Sequence, residues 1–181
     1  MNEDKQIYKN FLDGNLKEFE KIVEKYRKRI IYFIYGYVKR IDVAEDLAQE
    51  VFVYLLVNKD RFHFKCSLKT YLFIIAKSRA LNYLKASNTK VFQLENYTNM
   101  EDVSKLEDVV FNSIRNDNLR GAISKLDDKY SKVIYLSKIE ELKIREISKI
   151  LDLPETQIKV LIYRGKKKLK EIIGEEDDLY A

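Results

Sequence analysis

Residues 142–169, LKIREISKILDLPETQIKVLIYRGKKKL, read as a short helix, a tight turn at Leu151-Asp152-Leu153-Pro154 and a longer basic helix. This is a helix-turn-helix pattern, whose second helix can enter the major groove of DNA. Ile144, Ile147, Ser148 and Leu151 follow helical spacing and are expected to face a domain interior. Pro154 lacks an N–H and clashes with the turn before it, so it closes the first helix and is tolerated just ahead of the second. On that second helix Ile158, Ile162, Gly165 and Leu169 share one side. A mid-helix Gly165 costs about 1 kcal/mol against Ala, which a close helix–helix approach would explain. The other side carries Thr156, Gln157, Lys159, Val160, Tyr163, Arg164 and Lys167. Val160 can meet a thymine methyl, Gln157 can pair with adenine, and Arg164 with guanine or phosphate. Lys166, Lys167, Lys168 and Lys170 suit phosphate contacts, which add affinity without sequence choice. A solvated basic helix over a plain helical core is the competing reading of the same residues.

Outward from this stretch the chain keeps a helical character. One Pro and five Gly in 181 residues leave few breakers, and 46% hydrophobic residues suffice for two small cores. The expected class is all-α: two small helical domains joined by a flexible linker, the second a four-helix helix-turn-helix domain. Residues 1–10 are polar and charged, so no signal peptide is expected. No apolar run reaches the roughly 18 residues of a membrane span. The single Cys66 excludes an internal disulfide and fits a reducing, cytoplasmic setting. The net charge of +5 is laid unevenly: 17 Lys and Arg face 11 acids in residues 1–85, 3 face 6 in residues 86–119, 14 face 7 in residues 120–170, and residues 171–181 hold five acids and no bases. Two basic blocks fit a polyanion touching both ends of the molecule; Lys-rich solvated faces are the alternative.

Four segments are expected: a helical domain over 1–86, a linker over 87–118, the helix-turn-helix domain over 119–174 and an acidic tail over 175–181. In the first, Phe19, Ile22, Val23, Tyr26, Ile30, Phe33, Ile34 and Tyr37 recur at helical spacing. A second helix starts near Asp42 with Leu47, Val51, Tyr54 and Leu55 as its apolar stripe, and Asn58-Lys59-Asp60 ends it. Residues 61–69 read as a loop, with Ser67 as N-cap of a third helix reaching Ala86. The Asn-rich clusters between Ser87 and Asn118 favour turns, with one short helix near 103–114. The second domain is expected to hold helices over 119–126, 130–139, 143–151 and 155–173.

Ala44-Glu45-Asp46-Leu47-Ala48-Gln49-Glu50-Val51-Phe52 separates the DNA-binding classes. Asp46, Gln49 and Glu50 stand at i, i+3 and i+4 and form one polar face, able to pair with Arg residues of a partner helix. Together with the helix-turn-helix, this segment resembles the extracytoplasmic-function (ECF) sigma factors of bacterial RNA polymerase. The resemblance runs from about Phe19 to Leu169. It implies that Asp46, Gln49 and Glu50 bind core RNA polymerase. Thr70-Tyr71-Leu72-Phe73-Ile74-Ile75-Ala76-Lys77 resembles the family segment that opens and holds the minus-ten promoter element, with Tyr71 where the family has Trp. Strand opening needs cations for the backbone and an aromatic face or pocket for a base. Lys65, Lys69, Lys77, Arg79 and Lys85 supply cations, Phe62, Phe64 and Tyr71 aromatic surface, and Asn82 a polar contact; Tyr71 also reads as a core residue. Thr156, Gln157, Lys159, Val160, Tyr163, Arg164 and Lys167 are the implied contacts to the minus-thirty-five element. Asp127 replaces a usual Pro, and Thr156, Gln157, Val160 and Leu161 depart from the family's usual pairs, so the promoter read is expected to differ. Glu95, Glu101, Asp102, Glu107 and Asp108 make the linker acidic, which suits a basic RNA channel of the polymerase as well as a plain solvated strand.

His63 and Cys66 have a metal-like spacing, but no third or fourth His or Cys exists to complete a zinc site. No metal, cofactor or catalytic residue is expected, and no enzyme activity. The implied function is transcription initiation: promoter recognition by core RNA polymerase, with promoter DNA as duplex and as melted non-template strand, and an anti-sigma factor as further partner. Two other readings stay open on the residues alone. One is a stand-alone helix-turn-helix transcriptional regulator with an N-terminal interaction domain. The other is a helical protein that binds acidic partners without sequence choice, through charge attraction that moderate salt abolishes.

Overall fold

A computed structural model of the chain describes residues 3–90 and 117–179. Among the described residues the architecture is all-α. The chain divides into two compact units, Met1–Val110 and Phe111–Ala181.

The first unit contains α1 (Glu3–Leu12), α2 (Leu16–Val38), α3 (Ile41–Val57), a single 3-10 turn (Lys59–Arg61) and α4 (Leu68–Lys90). Helix α2 starts where Gly14 takes a positive φ of 99° and Asn15 accepts a hydrogen bond from the Lys17 N–H at 3.2 Å, satisfying one orphan donor of the first turn. Its stripe of Ile22, Tyr26, Ile30, Ile31, Phe33 and Ile34 is buried. Ala44, Leu47, Ala48, Val51 and Leu55 of α3 and Leu72, Phe73, Ala76 and Ala80 of α4 close the same core. Phe33 meets Phe73 edge-on, ring centroids 5.0 Å apart. Ser67 caps α4 as expected, its Oγ accepting from the Thr70 N–H at 3.1 Å.

Two elements differ from the sequence expectation. Helix α1 is absent from the sequence expectation, because most of its residues are polar or charged; yet Tyr8 and Phe11 are fully buried and bind it to the unit. Helix α4 runs past Ala86 to Lys90, since Ser87, Asn88 and Thr89 are poor helix formers but not breakers. The remainder of the expected linker lies outside the described residues, including the helix near 103–114 and the acids Glu95, Glu101, Asp102, Glu107 and Asp108.

The second unit contains α5 (Asp117–Ser124), α6 (Asp128–Ile134) with a π-helical turn (Tyr135–Ile139), α7 (Ile144–Leu151) and α8 (Glu155–Leu179). Its core gathers Ala122, Ile123, Leu126, Tyr130, Ile134 and Leu169. The buried Glu140, next to the π turn, accepts from the Tyr135 hydroxyl at 2.9 Å, as a buried carboxylate must find a donor. Inside α7 the buried pair is Ile147 and Ile150; Ile144, Ser148 and Leu151 are half-buried, so the inward face is turned slightly from the expected one. The turn to α8 is closed by Asp152 at φ 57°, by the Leu153 N–H donating to the Ser148 carbonyl at 3.2 Å, and by the Ser148 hydroxyl donating to the Leu153 carbonyl at 2.6 Å. Helix α8 continues through Gly174 to Leu179, so the acidic run 175–178 extends the helix rather than leaving it.

Gly165 explains itself here. A Cβ on it would lie 2.8 Å from Ile134 Cγ1 and 3.0 Å from Cδ1, so α6 and α8 touch where glycine leaves room. Gly165→Ala gains about 1 kcal/mol of helix propensity and loses about 1–3 kcal/mol to overpacking. A net loss of about 1 kcal/mol is expected in urea denaturation of the intact chain; a stabilised variant would show that Ile134 yields at no cost. A second prediction concerns pH. Burial pushes the phenols of Tyr8 and Tyr37 well above the ordinary range, with Tyr71 and Asp60 adding to the effect at Tyr8. The unfolded chain loses these protons near pH ~10 while the folded chain keeps them, so their contribution is intact below pH ~10 and declines as pH rises above it. The urea midpoint should fall between pH ~9 and ~11, and less so in Tyr37→Phe.

Candidate functional site

Three helix faces that no core needs are left to the solvent. The first is on α3. Asp46, Gln49 and Glu50 are exposed, as the spacing predicted. One and two turns further the same face becomes apolar: Val53 is 58% exposed and Val57 74%, with Leu56 beside them. Large aliphatic side chains so open to water are unfavourable unless a partner covers them. Phe19, Val23 and Arg27 of α2 face Gln49, Phe52, Val53 and Leu56 of α3 across a groove of about 420 Å³. The polar triad therefore forms one end of a larger surface with an apolar middle and a cation on its α2 side. The unbroken apolar run 51–57 was the available signal: a half-buried helix needs only one stripe, and this run has residues to spare.

The second face is on α4 and the loop before it. Tyr71, Ser78, Asn82 and Lys85 stand at i, i+7, i+11 and i+14, which places them on one outward face; Asn82 and Lys85 are exposed and Tyr71 is half-buried. Ser78, exposed between them, was not foreseen. Lys77 and Arg79 fall to opposite sides of this face by the same spacing. Arg79 reaches toward α3: it is 3.7 Å from Glu50 and lies over the Tyr54 ring at 5.3 Å. Both charges are partly exposed, so the pair adds at most about 1 kcal/mol. Lys65 is exposed in the loop, and Lys69 is half-buried in the first turn of α4.

The aromatic residues of this region divide their roles. Phe62 is 5% exposed and is core, not the surface expected from sequence. It stacks on Tyr71 with ring centroids 4.9 Å apart and 29° between planes. Tyr71 thus has one face against the core and is half-buried overall. Burial, with Tyr54 hydrogen-bonded beside it, pushes its phenol above the ordinary value, so the hydroxyl stays protonated. Phe64 is half-buried at φ 57°, a backbone region that costs a non-glycine residue about 1–3 kcal/mol and is frequent at ligand clamps. His63 is exposed on this loop, and Cys66 is half-buried.

The third face is on α8. Thr156, Val160, Tyr163 and Lys167, at i, i+4, i+7 and i+11, form its centre line, flanked by Gln157 and Arg164 on one side and Lys159 on the other. All seven are exposed, and the structure brings them together as the spacing predicted. Val160 is 47% exposed and Tyr163 74%, apolar surface among cations. Lys170 extends the line and is exposed. Lys168 belongs elsewhere: its ammonium is 3.5 Å from the Asp127 carboxylate and over the Tyr130 ring, tying α8 to the start of α6. Backbone N–H groups at the start of α8 add positive character where the helix enters this face.

Comparison with known proteins gives these faces a context. The family model described as "Sigma-70 region 2" matches residues 22–89, and "Sigma-70, region 4" matches residues 116–169. The chain is 31% identical over 177 residues to the ECF RNA polymerase sigma factor SigW of Bacillus subtilis, covering 92% of this chain and 95% of that protein. It is 26% identical to the ECF RNA polymerase sigma-E factor of Haemophilus influenzae, covering 94% of this chain and 95% of that one. Its fold is similar to that of the sigma factor RpoE, solved in complex with the anti-sigma factor NepR from Bartonella quintana, with a TM-score of 0.64, 17% identity, and 87% and 98% of the two chains covered.

Proposed function

The chain belongs to the extracytoplasmic-function RNA polymerase sigma factors, and from that membership we propose how its three exposed faces share the work of directing core RNA polymerase to promoters. The observation that carries this reading is the order of the two matched regions along one chain that aligns with SigW nearly end to end.

The α3 face docks on polymerase. Asp46, Gln49 and Glu50 supply carboxylates and an amide for basic groups of a partner helix. Val53, Leu56 and the groove shared with Phe19 and Val23 supply the apolar area that polar pairs at a rim do not. The α8 face reads the minus-thirty-five element as duplex. Gln157, Val160 and Arg164 reach base edges, while Lys159, Lys167 and Lys170 hold phosphates. The loop and outer face of α4 hold the minus-ten element as a melted strand: Lys65, Lys69, Lys77 and Lys85 balance the backbone charge, and Tyr71 with Asn82 meets an unstacked base. Arg79 joins those cations on the strand backbone, and it also lies 3.7 Å from Glu50, where the docking helix and the melting helix adjoin.

The acidic linker residues Glu95, Glu101, Asp102, Glu107 and Asp108 occupy a basic path of the polymerase. The division into 1–86, 87–118, 119–174 and an acidic tail over 175–181 accommodates these roles, with α4 carrying the first helical segment on to Lys90. The protein works as an initiation factor in the cytoplasm and not as an enzyme; the polymerase supplies the chemistry. An anti-sigma protein restrains it, as the complex of the structurally similar RpoE with NepR suggests. Among the described residues no helix is long and apolar enough to cross a membrane.

Two measurements test the assignment. Asp46→Lys with Glu50→Lys should abolish co-elution with core polymerase while the helical circular dichroism signal persists, and Leu56→Asp should weaken it; retained binding in both would remove α3 as the docking face. Gln157→Ala or Val160→Ala should change preference at single upstream promoter positions by about 1–3 kcal/mol for each base contact removed. A uniform loss across all upstream sequences in run-off transcription would instead mean that α8 touches only phosphates.

A further inference from the structure

The loop between α3 and α4 is held from outside by a helix that the promoter-contacting reading leaves unused. Tyr8 of α1 is fully buried, and its hydroxyl donates to the Lys59 carbonyl at 2.8 Å. Lys59 answers: its ammonium donates to the Leu12 carbonyl at 3.3 Å, at the end of α1, and lies 5.7 Å from the Phe11 ring. Two hydrogen bonds in opposite directions, between residues 51 and 47 positions apart, thus join α1 to the turn after α3. The Tyr8 ring also meets the loop itself, edge-on to Phe62 at 4.9 Å and to Phe64 at 5.8 Å. The Lys5 ammonium lies 5.8 Å from the Phe64 ring, so a second α1 side chain contacts the residue whose backbone is in the left-handed region. Phe62 in turn stacks on Tyr71. A continuous line of contact therefore runs from α1 through the loop to the outer face of α4.

We infer that Tyr8 is a positioning residue for minus-ten recognition: through Lys59, Phe62 and Phe64 it fixes the loop that presents Lys65, and the ring of Tyr71, to the melted strand. This rests on reading the loop and α4 as the minus-ten site. Helix α1 holds the Phe64 ring with both the Tyr8 ring and the Lys5 ammonium. A backbone in this sparsely populated region persists only where surrounding contacts hold it, and α1 supplies two of those contacts on Phe64.

The test uses holoenzyme assembled from core polymerase and the full chain. Tyr8→Phe keeps the ring and removes one hydrogen bond; Lys59→Met removes its return; Phe64→Ala and Tyr71→Ala probe the site itself. The readouts are the rate of promoter opening, followed by permanganate reactivity of minus-ten thymines, base preference at each minus-ten position, core affinity and minus-thirty-five preference. Tyr8→Phe and Lys59→Met should each slow opening by about two- to tenfold, the effect of one hydrogen bond, and alter preference at one or two minus-ten positions. Core affinity and upstream preference should stay at wild-type values. A stability role alone would lower the melting temperature without touching base preference, and that result too would overturn the inference. Wild-type opening and preference in both brace variants, with Phe64→Ala and Tyr71→Ala impaired, would overturn it and leave the minus-ten assignment standing. Wild-type behaviour in all four would overturn both.

Discussion

Burial of the apolar stripes of α2, α3 and α4 against one another is the constraint on which the first unit depends. A helix has room for about one such stripe, so fixing Leu47, Val51 and Leu55 inward fixes Asp46, Gln49 and Glu50 outward. In the second unit, Ile158, Gly165 and Leu169 do the same for α8, and Gly165 lets the helix approach Ile134 closely. The functional surfaces are thus the complements of the cores. They need no catalytic geometry, which suits a protein whose partners are core RNA polymerase and promoter DNA.

Each outward face combines charge with apolar area, and the combination separates attraction from choice. The cations of α8 bring any nucleic acid near and lose strength with salt. Val160 and Gln157, exposed among them, are the groups whose proposed contacts would depend on base identity. On α3 the order is reversed: the carboxylates orient a basic partner, and Val53, Leu56 and Val57 provide surface whose exposure in the free protein is unfavourable. Within the first unit the Arg79–Glu50 pair links the α4 face to the α3 face.

The loop between α3 and α4 follows a different rule. No helical period governs it, and its aromatic residues are placed by tertiary contacts: Phe62 goes into the core, Phe64 takes a left-handed backbone, and Tyr71 keeps one face inward. Helix α1 packs on this arrangement through the Tyr8 ring and the Lys5 ammonium. A largely polar segment gains its place because Tyr8 and Phe11 are buried against the rest of the unit.

The amino-acid sequence by itself determined the all-α class, the cap at Ser67, the turn at Pro154 and the outward sets on α3 and α8, because a period of 3.6 residues assigns each side chain to a face without reference to anything distant. It also carried the family resemblance in the segments around Asp46 and Pro154. Tertiary structure alone decided the groove between α2 and α3, the reach of Arg79 to Glu50, the inward turn of Phe62 and the grip of Tyr8 on Lys59. Each of these joins residues from separate elements, and periodicity holds no information about which elements meet. Distance across the fold, not spacing along the chain, sets those contacts.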